Sequence, residues 1–130
     1  MTEAVELQAQ ISKTIGNVEK SYREALEAVR ELKERINELE LRISEKGRAE
    51  ASEEVDELSS MRERLNRVTD SLISISEKAW EEYRKLEHGC KMCAFEPVEL
   101  DGLKILCGKA ERLAEDMLCY SLAGFKRESG

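Results

Sequence analysis

Apolar residues recur along the first third of the chain in alternating steps of four and three. The positions are Ile11, Ile15, Val18, Tyr22, Ala25, Val29, Leu32, Ile36, Leu39 and Ile43. A heptad pattern kept up over this distance gives a helix one apolar stripe, the seam, and is typical of coiled coils. It predicts a first helix over about residues 3–45.

A second seam follows after a polar stretch and lapses only at Glu82. It comprises Leu58, Met61, Leu65, Val68, Leu72, Ile75, Ala79, Glu82 and Leu86. If the phase of the first seam continued, its next positions would be Lys46, Glu50, Glu53, Glu57 and Ser60, none of them apolar. The sequence therefore predicts two helices joined by a loop at 46–51, in which Gly47 ends the first helix. Ser52 is expected to be the N-cap of a second helix over about residues 52–88.

The short connection makes the two helices antiparallel and fixes their register. The expected partners across the seam include Leu39 with Leu58, Leu32 with Leu65, Ala25 with Leu72 and Ile11 with Leu86. The first two thirds of the chain are thus predicted to form an antiparallel coiled-coil hairpin.

Ile73, Trp80 and Tyr83 lie outside the second seam, toward the end of the hairpin away from the loop. The predicted register puts Gly16 opposite Trp80, which would let the indole lie across the first helix. Apolar surface beyond the seam requires another element to cover it. We expect the second helix to stop at His88 with Gly89 as a left-handed cap, followed by a cysteine loop at 89–98, a third helix over about 99–123 and a tail at 124–130. The expected fold is one elongated all-α domain in which a shorter third helix packs at the open end.

The third helix has apolar residues on more than one side. One face carries Leu103, Leu106, Ala110, Leu113, Ala114 and Met117, whereas Ile105, Leu118, Cys119 and Leu122 lie away from it. A short helix that is apolar all round is usually buried between partners. This pattern favours a homo-oligomer, with a two-fold dimer as first choice, in which Ile73, Trp80, Tyr83, Leu118 and Leu122 pack the third helix or the interface. A monomer with an apolar end is the alternative.

Composition narrows the classes of partner. Charged residues make up 38% of the chain and aromatic residues 5%, with one proline, as in proteins built from long helices. The net charge of −7 disfavours nucleic-acid binding, which depends on clustered Lys and Arg. An accessory role on nucleic acid through Lys126 and Arg127 is the weakest of the functional hypotheses.

The expected location is the cytoplasm. No apolar run is long enough to cross a bilayer, and residues 1–10 do not resemble a secretory signal. Only two Gln and three Asn accompany 28 acidic and 21 basic residues, a bias that indicates a thermophilic source. Cytosolic disulfides occur in hyperthermophiles, so a disulfide remains one of the options for the cysteines.

The cysteines form the one cluster with candidate chemistry. Cys90 and Cys93 have the spacing that grips a metal ion, and His88 or Cys107 could complete a tetrahedral zinc site. Cys119 lies twelve residues after Cys107, about 120° around the same helix, and is therefore expected to take no part. The first choice is a structural role, either as buried thiols or as a Cys93–Cys107 disulfide. The alternatives are one structural zinc and redox catalysis, and the latter normally needs a βαβ framework.

The sequence favours a non-enzymatic function. It contains no phosphate-binding loop, dinucleotide fingerprint or metalloprotease motif, and its single histidine offers little for acid–base catalysis. The leading hypothesis is a scaffold or interaction protein that oligomerises and binds an unidentified protein partner. The alternative is a zinc-dependent binding module that uses the cysteine loop.

Overall fold

The described part of the chain folds into three α-helices. The computed structural model describes residues 2–129, and within that range the side chains of residues 3–121. Helix α1 spans Thr2–Lys46, α2 spans Ser52–Met92 and α3 spans Val98–Ser129, and the described residues contain no strand. The predicted all-α fold with a third helix packed on a helical hairpin is confirmed.

Helices α1 and α2 run antiparallel. Beside their connection, the Lys46 ammonium donates to Glu54 over 2.7 Å. At the opposite end, the first turns of α1 meet the last turns of α2 so closely that a Cβ atom on Gly89 would lie 2.9 Å from Leu7 Cδ2. Residue numbers therefore rise along one helix as they fall along the other, and the end where Leu7 meets Gly89 is the open end of the hairpin.

The predicted seam forms the core between these helices. Its members near the loop belong to one buried cluster that includes Ala25, Val29, Leu32, Ile36, Leu39, Leu58, Leu65 and Leu72. The expected pairs across the seam are thus brought together. Hydrogen bonds from Arg35 to Glu57 and from Arg62 to Glu40 join the two helices on opposite sides of the seam, and both fit this register.

The connection depends on one glycine. Gly47 has a φ of +86°, and its N–H donates to the Ile43 carbonyl over 2.8 Å, which ends α1. The expected N-cap at Ser52 is wrong, because the cap position belongs to Ala51 and no side chain caps the helix. Ala51 is fully buried, so apolar packing takes the place of a capping hydroxyl at this position.

The expected end of α2 at His88, with Gly89 as its cap, is also wrong. Cys90 continues the apolar face of the helix and is buried, so α2 runs on to Met92. The left-handed residue is Ala94, with a φ of 50°. Its N–H donates to the Lys91 carbonyl, and the Phe95 N–H donates to the Cys90 carbonyl over 2.9 Å. These two bonds form a Schellman motif, in which Phe95 folds back toward Cys90.

Helix α3 runs in the same direction as α1. Its first turns bury Leu103 and Cys107 in the core at the open end, where Ile11 and Leu86 also lie. Farther along, Ala114 and Met117 join the cluster that contains Leu72. The helix begins one residue before the predicted 99 and extends beyond the predicted 123, so residues 124–129, expected as a tail, belong to it. Within the described range, no helix has an apolar stretch long enough to span a bilayer.

Helix α2 packs on two sides. Thr69, Ser76, Tyr83 and Cys90 recur every seven residues beside the seam, and all four are buried. Met61, Val68 and Ile75, which are themselves seam positions on the side away from this row, are only half-buried. The buried face of α2 is therefore rotated away from the predicted seam toward α3, which leaves the opposite flank of the hairpin open.

Candidate functional site

Two of the cysteines are packed inside the open end of the bundle. Cys90 on α2 and Cys107 on α3 are buried in the cluster that also contains Leu86 and Leu103. Burial raises the pKa of the Cys107 thiol to about 11 and also raises the pKa of Cys90. Both side chains therefore behave as small apolar groups of the core and not as thiolates.

The remaining members of the cluster point elsewhere. The Cys93 thiol donates to Glu3 Oε2 over 3.5 Å, and burial together with this carboxylate raises the pKa of Cys93. His88 is exposed. No three His, Cys, Asp or Glu residues in the described part of the chain are grouped so that they could hold a metal ion. The zinc site thus stays a prediction of the sequence.

All four cysteines are free thiols. This includes Cys93 and Cys107, for which a disulfide was one alternative. Cys119 is exposed on α3, away from the other three.

The aromatic residues outside the seam pack α3. The Trp80 indole N–H donates to Glu111 Oε2 on α3 over 3.0 Å, and its ring meets Tyr83 edge to face at 5.7 Å. Tyr83 is buried and donates to Glu87, and burial together with this bond raises its pKa to about 12. The expected contact of Trp80 with Gly16 is wrong, because no side chain lies within 4 Å of the Cβ position of Gly16.

The other residues expected to pack α3 or an interface differ in exposure. Ile73 is half-buried against the core, whereas Leu118 is exposed. The side chain of Leu122 lies outside the described residues, as do those of Lys126 and Arg127. The structure thus places Trp80 and Tyr83 beside α3, and it places Ile73 against the core cluster that includes Ala114 and Met117 of α3.

An apolar groove of about 690 Å³ runs between α1 and α3. Its lining includes Ile15, Tyr22, Leu26, Val98, Gly102, Ile105 and Leu106, and we call it the α1–α3 groove. Two of its apolar side chains face solvent, with Val98 80% and Ile105 61% exposed. Its charged lining residues are Glu19, Arg23, Glu99 and Lys109.

These charges have an order along the groove. Because α1 and α3 run in the same direction, the acidic residue of each helix lies nearer the open end than its basic one, Glu19 before Arg23 and Glu99 before Lys109. Arg23 also donates to Glu19 within α1. The two α1 charges are therefore paired with each other, and Glu99 and Lys109 set the order of charge along the α3 wall.

A second depression, of about 630 Å³, lies between α1 and α2 near the open end, and we call it the α1–α2 cleft. Its floor contains Leu7, Val18, Ile75, Ala79 and Leu86, and its α1 wall contains Gln10, Thr14, Asn17 and Ser21. The charged residues that line it are Lys13, Lys78, Lys85 and Glu82. Since Ile75 and Glu82 are on the flank of α2 opposite its buried stripe, the cleft and α3 lie on opposite sides of the hairpin.

The lysines of the α1–α2 cleft were missed in the sequence, where isolated Lys residues on a charged helix resemble ordinary surface. Lys78 and Lys85 are separated by one heptad. This spacing, together with the lapse of the seam at Glu82, is the signal that could have indicated them.

Comparison with protein-family models, curated proteins and solved structures finds no match for this chain. Function is therefore inferred from the groove, the cleft and the cysteine cluster themselves.

Proposed function

We propose that this protein is a non-enzymatic interaction scaffold that self-associates as a two-fold dimer through the α1–α3 groove. The carrying observation is the exposure of Val98 and Ile105 beside the half-buried Ile15, Tyr22 and Leu26 in one groove. Contiguous apolar surface of this kind on a helical bundle favours a site of protein association. The unusual apolarity of α3 on several sides supports the same proposal.

A second copy of the chain suits the charges of this groove. In a two-fold dimer the same patch meets itself, and only an axis perpendicular to the helices brings the start of one groove against the far end of the other. If the axis is perpendicular to the helices, Glu99 of each copy lies toward Lys109 of the other, and like charges stay apart. This complementarity favours antiparallel self-association over contact with an unrelated apolar surface.

The chemistry of the described side chains supports a binding function over catalysis. The groups with the largest pKa shifts, Tyr83 and Cys107, are buried in the core and lie outside the groove and the cleft. Four free thiols suit a reducing compartment, which supports action in the cytoplasm. The protein partner of the scaffold is then expected on the surface that the dimer leaves free.

A charge placed in the groove tests the proposal. Ile105→Glu puts a carboxylate at the centre of the apolar patch and should convert the dimer into a monomer of 14.8 kDa. Sedimentation equilibrium at graded concentrations measures the molar mass. Leu41→Glu is the matched control, because Leu41 is 62% exposed, as Ile105 is, but lies on α1 near the loop.

The wild type and Leu41→Glu should both reach twice the mass of the chain. A wild type that stays monomeric up to high micromolar concentration would refute self-association. Equal weakening of the dimer by both substitutions would place the interface elsewhere.

A further inference from the structure

We propose that the α1–α2 cleft binds an acidic amphipathic helix of a partner protein, which would become a fourth helix of the bundle. This inference rests on the proposed interaction function and gives the partner a chemical class. It concerns the side of the hairpin opposite α3, so it does not depend on the α1–α3 groove.

The shape of the cleft suits a helix. Two antiparallel helices leave a furrow along their common axis on each side, and α3 fills the furrow on one side. The other furrow has an apolar floor, because Ile75 is only half-buried and Ala79 and Leu86 line the cleft together with Val18. An amphipathic helix laid in such a furrow buries its apolar face against side chains of both helices.

The furrow continues toward the loop. Met61, Val68, Ile75 and Glu82 are spaced by seven residues along the same flank of α2. Another depression on this flank, nearer the loop than the α1–α2 cleft, is lined by Leu32, Met61 and Val68. From Met61 to Leu86, α2 rises by about 37 Å, which is room for a partner helix of roughly 25 residues.

The charges of this flank are opposite in sign to those of the molecule. The chain carries a net −7, yet the cleft presents Lys13, Lys78 and Lys85. Lys85 lies 3.7 Å from Glu82, whereas Lys13 and Lys78 form no ion pair with any described carboxylate. Toward the loop the same flank continues with Arg64 and Arg67.

The α1 wall of the cleft carries Lys13 together with amides and hydroxyls, and it carries no carboxylate. An occupant that brings Glu or Asp to both edges of its apolar face would therefore meet an unpaired ammonium group on each side of the floor, Lys13 on α1 and Lys78 on α2. A basic helix would face two unpaired lysines. Complementarity of this kind mainly sets the choice of partner and the rate of association.

A protein helix fits this surface better than a nucleic acid or a lipid membrane does. A phosphate backbone requires cationic side chains with little apolar surface between them. Here an apolar floor separates Lys13 from Lys78, and Glu82 and Glu31 lie on the same flank. A flat anionic bilayer could not reach the floor of a furrow between two helices.

A designed peptide pair tests the proposal. The first peptide is a fluorescein-labelled helix of about 25 residues with one leucine stripe edged by Glu, and the second replaces each edging Glu by Lys. Fluorescence anisotropy with the full-length protein should show binding of the acidic peptide at least about tenfold tighter than that of the basic peptide. Its affinity should fall as salt rises from about 50 mM to 500 mM.

Charge reversal then locates the site. Lys13→Glu combined with Lys78→Glu should weaken binding of the acidic peptide at least about tenfold, since two attractive contacts become repulsive. Lys104→Glu, an exposed lysine on α3, is the matched control and should leave the affinity unchanged. Circular dichroism confirms that each variant is folded.

Equal affinity for the two peptides, or an equal loss in the Lys104→Glu control, would overturn the proposal. So would tighter binding of a single-stranded oligonucleotide or of phosphatidylserine vesicles, if that binding is lost in the double variant. Titrations of the Ile105→Glu variant separate this inference from self-association. If that variant binds the acidic peptide with wild-type affinity, the cleft functions whether or not the chain dimerises.

Discussion

Ala94 adopts a backbone conformation that glycine usually supplies. It ends α2 in the left-handed region, with a φ of 50°, and its Cβ makes that conformation costly by about 1 kcal/mol. The cost is offset because the turn brings Phe95 back toward the buried Cys90. Residue 94 is the position of this turn that favours glycine, and the chain has alanine there.

The substitution Ala94→Gly should therefore stabilise the protein. Removing the Cβ relieves the left-handed conformation and should raise the free energy of unfolding by about 1 kcal/mol. The melting temperature should rise by about 3–5 °C, measured by circular dichroism.

Ala28→Gly is the control, because the same change inside α1 should cost about 1 kcal/mol in helix propensity. If Ala94→Gly also lowered the melting temperature, the left-handed cap at residue 94 would be incorrect.

The contacts of single residues were the hardest feature to predict from the sequence. Gly89 has the residue type of a helix cap, but Leu7 packs against it and Cys90 is buried beyond it, so the helix continues. The Trp80 indole was expected to lie across Gly16 of α1 as well as to pack the third helix, yet no side chain lies within 4 Å of the Cβ position of Gly16, and the indole bonds to Glu111 on α3. Both errors arose from tertiary contacts with residues far away in the sequence, which local patterns do not contain.

At the scale of elements, the two long helices could be predicted, but the faces on which they are buried could be predicted only in part. The seam fixed where α1 and α2 lie and how they pair, because a heptad repeat encodes one helix neighbour. A second neighbour is encoded by a second stripe, here Thr69, Ser76, Tyr83 and Cys90. That stripe mixes small, polar and aromatic residues, so hydrophobicity alone does not indicate it.

The small residues in this stripe set how closely α3 approaches α2. Ser76 is buried in the same stripe as Tyr83, so Ser76→Leu would overpack the contact with α3. The free energy of unfolding should fall by about 1–3 kcal/mol in a urea titration. The emission of Trp80 should also change as its bond to Glu111 is disturbed.

Ser74→Leu is the matched control for this prediction. Ser74 is two residues earlier on α2, but it is exposed and lines the α1–α2 cleft. The same added volume there should change stability by less than about 0.5 kcal/mol. Equal effects of the two substitutions would contradict the position of α3 on the Ser76 side.

At the scale of the whole molecule, one hairpin presents two different furrows. On one side, α3 fills the furrow against α2 and leaves an apolar groove beside α1. On the other side, the furrow stays open and is lined by Lys13, Lys78 and Lys85. The sequence predicted extra apolar surface at the open end. It could not tell which of these residues pack inside the bundle and which stay exposed for an interface, because the rotation of α3 about its axis decides which residues are covered.

The cysteine cluster illustrates the same limit. Its spacing suggested shared chemistry, but spacing does not tell how deep each side chain lies. Cys90 and Cys107 enter the core, Cys93 meets Glu3, and His88 stays in solvent. The zinc site stays a prediction, whereas the burial of Cys107 follows from how α3 packs on α2.

The most direct test of the account is an engineered disulfide at the dimer axis. Ile105 lies on α3 between Glu99 and Lys109, so antiparallel association places the two copies of this residue face to face. In a Cys93→Ser, Cys119→Ser background, Ile105→Cys should form a covalent dimer under mild oxidation at micromolar concentration, resolved by non-reducing electrophoresis. Leu41→Cys in the same background should form no covalent dimer and should run as a monomer on the same gel. Equal cross-linking at both positions, or none at position 105, would contradict self-association through the α1–α3 groove.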